Sequence, residues 1–165
     1  MDIDEILAPG AVVAKLRATS KKQALQELAR VAADVTGEDE RAIFEVLLER
    51  ERLGSTGVGG GVAIPHGKLA SLDRLYGVFA RVAQPIDFDS VDDRPVDLLF
   101  VLLAPEGAGA DHLKALARVS RLLRDPATCD KLRGSDSRDA IYALLTQSGN
   151  GSSSVETPRA RAAAS

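Results

Sequence analysis

The segment 96–103, VDLLFVLL, constrains the fold of this 165-residue chain most strongly. All of its residues except one aspartate are apolar, and a strand with apolar side chains at consecutive positions has no face that favours water. Such a strand lies inside a sheet whose two faces are both covered. The segment therefore predicts a central strand that is buried on both faces.

Helical periodicity and capping residues predict four helices. Ser20 followed by Gln23 is a capping-box pattern at the start of the first helix, and Gly37 is typical of a helix end. The predicted helices lie between Ser20 and Gly37, between Asp39 and Gly54, over 111–124 and over 137–146. The third helix is expected to bury one apolar face, made of Leu113, Leu116, Val119 and Leu123.

Short runs rich in β-branched residues predict further strands. They lie at 62–64 and 76–82, with a weaker strand at 11–16. Because the predicted strands and helices are interleaved along the chain, the fold class is α/β. Periodicity alone gives no strand order.

The overall composition excludes several classes of protein. With 45% hydrophobic residues, a chain of this length can form one domain with its own core. The net charge of -3 argues against a nucleic-acid-binding surface, which needs concentrated lysine and arginine. No apolar run approaches the length of a membrane span. The single cysteine, Cys129, and the acidic amino terminus, where a signal peptide would be basic, predict a cytoplasmic protein without membrane insertion.

The composition changes after Gln147. From there the sequence consists almost wholly of small and polar residues, with Val155 as its one large aliphatic residue. A segment of this kind has too little apolar surface to offset the entropy of ordering. The sequence therefore predicts a folded domain over 1–147 and a disordered tail over 148–165.

A glycine-rich run ends next to one of the two histidines of the chain. Residues 54–68 read GSTGVGGGVAIPHGK, so that His66 follows Pro65. Glycines let backbone N–H groups approach a bound anion, and the hydroxyl groups of Ser55 and Thr56 add hydrogen-bond donors. A neutral imidazole has a lone pair that can attack phosphorus. The run therefore predicts a phosphoryl site with His66 as its reactive side chain.

Other chemistry fits this run less well. A P-loop requires GxxxxGK[ST], but Val62 occupies the place of its first glycine and Leu69 follows Lys68. The dinucleotide pattern GxGxxG, started at Gly57, also meets Val62 where it needs glycine. Neither the histidines nor the cysteine has metal-ligand spacing, so we expect no metal and no cofactor. Residue types alone leave a Ser/His/Asp triad open, although no GxSxG elbow occurs.

Longer stretches of the sequence resemble a known family. They are RERLGSTGVG at 50–59, VAIPHG at 62–67, PIDF at 85–88, VDLLFVLL, and HLKALA at 112–117. These stretches are similar to the IIA domain of the mannitol/fructose class of the bacterial phosphoenolpyruvate phosphotransferase system, and most similar to its nitrogen-regulatory branch. The resemblance covers roughly residues 3–146. It implies the mannitol-type IIA fold, a mixed β-sheet of about five strands flanked by helices on both faces.

The resemblance also implies roles for single residues. His66 matches the histidine that receives a phosphoryl group at Nε2 from a phosphohistidine on a small carrier protein, and its Nδ1 should then donate to a backbone carbonyl. His112 matches a second active-site histidine, and Arg50 matches an arginine whose planar fork can hold two phosphoryl oxygens. The simpler alternatives are an ordinary first-turn residue for His112 and a solvated helix face for Arg50.

Further phosphate contacts are expected from the glycine-rich run. The candidate residues are Ser55, Thr56, Gly57, Gly59 and Lys68. Turn capping is the alternative for the two hydroxyl groups, and plain solvent exposure is the alternative for Lys68.

Two classes of function follow. The first is a phosphotransferase component that acts as a phosphoryl-relay regulator. It would signal nitrogen, carbon or potassium status through phosphorylation-dependent binding to targets such as sensor kinases or ion transporters. A IIA component that passes phosphate to a sugar-transport IIB partner is a variant of this class. The second class is an anion-binding or protein-interaction module without phosphotransfer, and His66→Ala separates the two.

Overall fold

A computed structural model describes residues 1–150 of the chain, with side chains to residue 147. Two short 3-10 turns, Ile3–Glu5 and Pro9–Ala11, precede the first strand. The strands are β1 (Val12–Leu16), β2 (Gly57–Gly59), β3 (Val62–Ala63), β4 (His66–Leu69), β5 (Tyr76–Ile86) and β6 (Val96–Pro105). The helices are α1 (Lys21–Thr36), α2 (Glu40–Leu53), α3 (Gly109–Arg124), α4 (Pro126–Arg133) and α5 (Arg138–Asn150).

The six strands form one mixed sheet in the order β1-β5-β6-β3-β2, and β4 also pairs with β6. The pairs β1/β5, β3/β6 and β4/β6 are parallel, whereas β5/β6 and β2/β3 are antiparallel. Seven consecutive residues of β6, Leu98 to Ala104, have no solvent exposure. Both faces of this strand are therefore covered, which confirms the predicted central strand and the α/β class.

The break between β3 and β4 determines where His66 lies. The two short strands pair with successive halves of β6 along the same side. Between them, the carbonyl of Pro65 accepts a hydrogen bond from the amide of Leu102 at 3.0 Å. Proline has no N–H group to donate, so it fits this interruption in the ladder. The chain then resumes pairing at His66, the first residue of β4.

The caps predicted for the first two helices are confirmed. The Ser20 Oγ accepts a hydrogen bond from the Gln23 amide at 3.1 Å, and Gly37 ends α1 with φ of 79°. The Gln23 side chain, however, accepts from the amide of Thr19 rather than from that of Ser20. Asp39 caps α2 by accepting from the Ala42 amide. The two ends of α1 and the start of α2 are set by contacts within four residues, which explains why the sequence predicts them.

Helix α2 lies directly on the strand that carries His66. A Cβ atom added at Gly67 would overlap the side chain of Val46 in α2. The absence of a side chain at Gly67 therefore allows close helix-to-strand packing, and the last turn of α2 comes next to the start of β4.

The carboxyl-terminal helices differ from the prediction in three respects. Leu113 was expected in the buried face of α3, but it is 69% exposed, because His112 and Ala115 point inward instead. Helix α4 was not predicted. Helix α5 ends at Asn150 rather than at residue 146. The first three residues of the predicted tail 148–165 therefore belong to α5, and the others lie outside the described residues. No helix in the described part is long and apolar enough to cross a membrane.

Candidate active site

His66 is held in one tautomer by the backbone. Its Nδ1 lies 2.8 Å from the carbonyl oxygen of Ile64. A carbonyl can only accept, so Nδ1 carries the proton and the lone pair lies on Nε2. The Arg50 Nε–H donates to this Nε2 at 3.3 Å, which agrees with that assignment. The sequence prediction of an Nδ1–H bond to a backbone carbonyl is confirmed, and the half-buried ring keeps Nε2 as its nucleophilic atom.

Arg50 projects from the last turn of α2 toward the imidazole. Besides the bond to His66, its Nη1 donates to the carbonyl of Gly54 at 2.8 Å. Among residues 1–147, no carboxylate lies within ion-pair distance of this guanidinium. The structure thus brings Arg50 into the site with its positive charge uncompensated, rather than leaving it on a solvated helix face.

His112 approaches the same imidazole from the first turn of α3. The two rings are edge to face, with centroids 5.6 Å apart and an interplanar angle of 73°. His112 is only 7% exposed, and its Nε2 is buried without a hydrogen-bond partner in the described part of the chain. A buried polar atom without a partner costs free energy. The structure therefore places an imidazole nitrogen that lacks a protein partner next to His66.

Burial and neighbouring charges favour the neutral form of both imidazoles. Burial is the main cause that lowers the pKa of His66, and the positive charge of Arg50 lowers it further. Burial also lowers the pKa of His112, with additional contributions from His66 and Lys68. An ordinary histidine pKa is about 6.5, so a lowered pKa favours the unprotonated form of both rings at neutral pH. The lone pair of His66 is therefore available for attack on phosphorus.

Lys68 places a second positive charge in this region of the molecule, near His112. It lies two residues after His66 in β4, and alternate residues of a strand share a face. Its side chain is exposed, and its charge acts on His112 as stated above. Arg50 and His112 therefore contact His66 from α2 and α3, and Lys68 adds a positive charge near His112 from β4.

The hydroxyl groups of Ser55 and Thr56 have protein partners. The Ser55 Oγ donates to the Phe88 carbonyl at 2.6 Å, and the Thr56 Oγ1 donates to Glu51 at 2.6 Å. Thr56 is also 96% buried, with 4% of its surface exposed. In this arrangement the two hydroxyl groups hold the loop together, as in the turn-capping alternative.

Gly57 and Gly59 pack closely against neighbouring residues. A Cβ atom at Gly57 would overlap the side chain of Ser90, and one at Gly59 would lie 3.3 Å from the Asp92 carboxylate. Gly59 has φ of 99°, a conformation that favours glycine. These glycines let the hairpin of β2 and β3 pack against the loop between β5 and β6.

Glu51 is a site residue that the sequence prediction missed. It follows Arg50, yet its side chain is only 3% exposed. Its spacing contains a signal, because Ile43, Leu47 and Glu51 occur every four residues and form the buried stripe of α2. An acidic residue in register with two core residues indicates a buried carboxylate with defined partners.

Comparisons with known proteins show what the whole chain is similar to. A family model described as phosphoenolpyruvate-dependent sugar phosphotransferase system, EIIA 2, matches residues 5–148. A nitrogen regulatory protein of Bradyrhizobium diazoefficiens is 62% identical over 145 residues, which cover 88% of this chain and 95% of that protein.

Solved structures of similar proteins share the fold of this chain. The nitrogen regulatory protein IIA-Ntr of Neisseria meningitidis has a TM-score of 0.83 at 36% identity, covering 87% of this chain and 99% of that one. Mannitol IIA of Escherichia coli has a TM-score of 0.70 at 22% identity, covering 84% and 97%, and so supports the mannitol-type fold. The chain therefore belongs to the EIIA 2 family of the phosphoenolpyruvate-dependent sugar phosphotransferase system and is similar to its nitrogen regulatory members.

Proposed function

We propose that this protein accepts a phosphoryl group on His66 Nε2 from a phosphohistidine of a small carrier protein and uses the resulting change in charge to regulate other proteins. Membership of the family makes it a phosphotransferase component. The observation that supports His66 most directly is its fixed tautomer, with a lone pair on Nε2 that faces the uncompensated guanidinium of Arg50. A histidine without such a role needs neither feature.

The transfer would proceed without a net movement of protons. The Nε2 lone pair forms the new N–P bond while the N–P bond of the donor breaks, and that electron pair returns to the donor imidazole. The proton on Nδ1 stays in its bond to Ile64 throughout. The charge on the three equatorial oxygens would be balanced by Arg50 and Lys68, with His112 as a hydrogen-bond donor. Because the Arg50 Nε–H already points at Nε2, a phosphoryl group there would meet the guanidinium.

The regulatory part of the proposal rests on charge and on the relatives. By analogy with other phosphorylated side chains, the modification adds about -1.5 to -2 charges at the mouth of the site. That change is large enough to recruit or repel a partner surface. The names of the relatives support an output in nitrogen regulation. Sensor kinases and ion transporters in the cytoplasm or at the inner face of the membrane are the target classes that we propose.

The test is phosphorylation in a reconstituted system. Purified protein is incubated with labelled phosphoenolpyruvate, the first enzyme of the system and its carrier protein, and the labelled peptide is then mapped. We expect an acid-labile label on the peptide that contains His66, and none on His66→Ala. His112→Gln is the matched control, because it should still be labelled on His66, although more slowly. Label on another residue, or normal labelling of His66→Ala, would contradict the assignment.

A second measurement addresses the output. Transfer from the phosphorylated protein to a sugar-specific IIB protein would indicate sugar delivery, whereas binding that depends on the phosphoryl group without onward transfer would indicate regulation. A wild-type protein that is never labelled would leave the anion-binding module as the better explanation.

A further inference from the structure

The Glu51 carboxylate lies behind the candidate site and binds three hydrogen-bond donors. Its Oε2 accepts from the Thr56 amide at 2.9 Å and from the Lys21 Nζ at 3.1 Å. Its Oε1 accepts from the Thr56 hydroxyl at 2.6 Å. A carboxylate that is 3% exposed is costly to bury, and these partners offset that cost. It has no contact with either imidazole among the described hydrogen bonds.

Two routes lead from Glu51 to the reactive side chains. On the first, Thr56 is fixed by Glu51, its carbonyl accepts from the Ile64 amide at 3.0 Å, and the Ile64 carbonyl accepts from His66 Nδ1. On the second, the loop that Thr56 anchors begins at Gly54, whose carbonyl holds the Arg50 guanidinium. One buried carboxylate is thus connected through hydrogen bonds and backbone to both groups that would contact phosphorus or its oxygens.

We propose that Glu51, paired with Lys21 and bonded to Thr56, is the positioning residue of the phosphoryl site, which fixes the imidazole of His66 and the guanidinium of Arg50 relative to each other. This inference rests on the proposed function and identifies the residue that positions the two groups on which that function depends. Glu51 touches neither the donor nor the phosphoryl group. It acts through Thr56, Ile64 and Gly54.

Lys21 extends the same network to a third part of the fold. Its Nζ also pairs with Asp89 at 3.1 Å and lies 5.1 Å from the centre of the Phe88 ring. Phe88 in turn accepts the Ser55 hydroxyl bond at its carbonyl. The start of α1, the end of α2 and the loop between β5 and β6 therefore meet at Lys21 through its two ion pairs, with Glu51 and with Asp89. Small misplacements of reacting groups can lower rates by about 100-fold, which makes such anchoring consequential.

The first test compares substitutions that differ in one group. Thr56→Val removes the hydroxyl that bonds Glu51 but keeps the shape of the side chain, and Thr56→Ser keeps the hydroxyl. Glu51→Gln replaces the carboxylate with an amide of equal size, which brings an NH2 group toward donors. Glu49→Gln is the matched control, since Glu49 lies in the same helical turn, is 69% exposed and pairs with Arg52.

We expect Thr56→Val and Glu51→Gln to lower the maximal rate of phosphoryl acceptance by about 10-fold to 100-fold, with little change in the carrier concentration at half-maximal rate. Thr56→Ser should return to within about twofold of the wild-type rate, and Glu49→Gln should not differ from wild type. Wild-type maximal rates in folded Thr56→Val and Glu51→Gln proteins would overturn the proposal. If Glu51→Gln does not fold, the valine and serine pair at Thr56 decides.

A second readout does not require phosphorylation, so it separates this inference from the proposed function. In ¹⁵N NMR spectra of the imidazole, wild-type His66 should show the proton on Nδ1. In Thr56→Val and Glu51→Gln the two tautomers should mix, because the Ile64 carbonyl is no longer held in place. Failure of labelling in the wild type would refute the proposed function alone. An unchanged tautomer in both variants would refute the positioning role, whatever the labelling result.

Discussion

Two arginines near the β2/β3 hairpin have opposite surroundings. Arg50 binds an imidazole nitrogen and a backbone carbonyl, both of them uncharged. Arg133, in α4, donates through Nε to the Asp97 carboxylate at 2.8 Å and through Nη2 to the Gly60 carbonyl at 2.7 Å. Its own carbonyl accepts from Arg81 at 3.0 Å. The charge of Arg133 is thus paired within the fold, whereas the charge of Arg50 has no carboxylate partner among residues 1–147.

The difference shows how function can be recognised in a charged residue. Asp97 raises the pKa of Arg133 through a hydrogen bond, which indicates that this pair stabilises the folded state. The charge of Arg50 instead lowers the pKa of His66, so it disfavours protonation of the nucleophile. Arg133 should therefore contribute to stability and little to phosphoryl transfer, whereas Arg50 should do the reverse. Each of the following substitutions tests one side of this contrast.

The largest effect is expected for Arg50→Gln. The variant loses a charged fork beside the oxygens of the transferring group, and loss of one such donor typically lowers a rate by about 100-fold to 1000-fold. The rate of labelling from phosphorylated carrier measures this effect. Arg52→Gln, on the same turn but with a side chain 65% exposed, should keep the wild-type rate. A drop of less than about threefold in Arg50→Gln would place Arg50 outside the transfer chemistry.

A smaller effect of a different kind is expected for Arg133→Gln. The variant leaves the Asp97 carboxylate without its cation, and hydrogen bonds to charged groups contribute about 1.5 to 3 kcal/mol. Urea denaturation should therefore show a free energy of unfolding lower by about 2 kcal/mol, with the labelling rate of the folded protein unchanged. Equal stability together with slower labelling would reverse the roles that we assign to the two arginines.

Local signals explain most of what the sequence predicted correctly. Helix α1 begins and ends at residues whose caps lie within four positions, and β6 is marked by its own apolar run. The short strands β2 and β4 gave no such signal, because glycine, histidine and lysine do not alternate with apolar residues there. The partner of β4 is β6, which is distant in sequence, and the partner of β2 is β3, a strand of only two residues. Helix α4 was missed because its eight residues are too few for clear periodicity.

The site could be predicted only in part, because it too depends on contacts between residues that are distant in sequence. His66, Arg50 and His112 are brought together as the family resemblance implied, although they come from three elements that are separate along the chain. From their residue types alone, Ser55 and Thr56 look like hydrogen-bond donors to a phosphate group. The partner of a hydroxyl group depends on which acceptor the fold places beside it. Here the Ser55 hydroxyl bonds to the Phe88 carbonyl, and the Thr56 hydroxyl bonds to the Glu51 carboxylate. That choice is a tertiary one and has no local signature.

The smallest predicted effect is the dependence of stability on pH. Burial lowers the pKa of both histidines in the folded protein, whereas the unfolded chain has histidine pKa values of about 6.5. As the pH falls below about 6.5, the unfolded chain therefore binds protons that the folded protein does not. The free energy of unfolding should decrease over this window, down to the folded pKa values, and be fully restored above it. Urea midpoints measured between pH 7.5 and pH 5 give this curve.

The contrast between the two arginines makes this prediction specific to one region. The chain has two histidines in all, and both lie at the candidate site. A His66→Gln/His112→Gln double variant should therefore lose the slope below about pH 6.5, while Arg133→Gln should keep it at a lower overall stability. In Arg50→Gln, NMR titration should show a higher pKa for His66, because a nearby positive charge has been removed. A slope that persists in the double variant would mean that groups elsewhere titrate in this window, and that the neutral imidazole pair is not its cause.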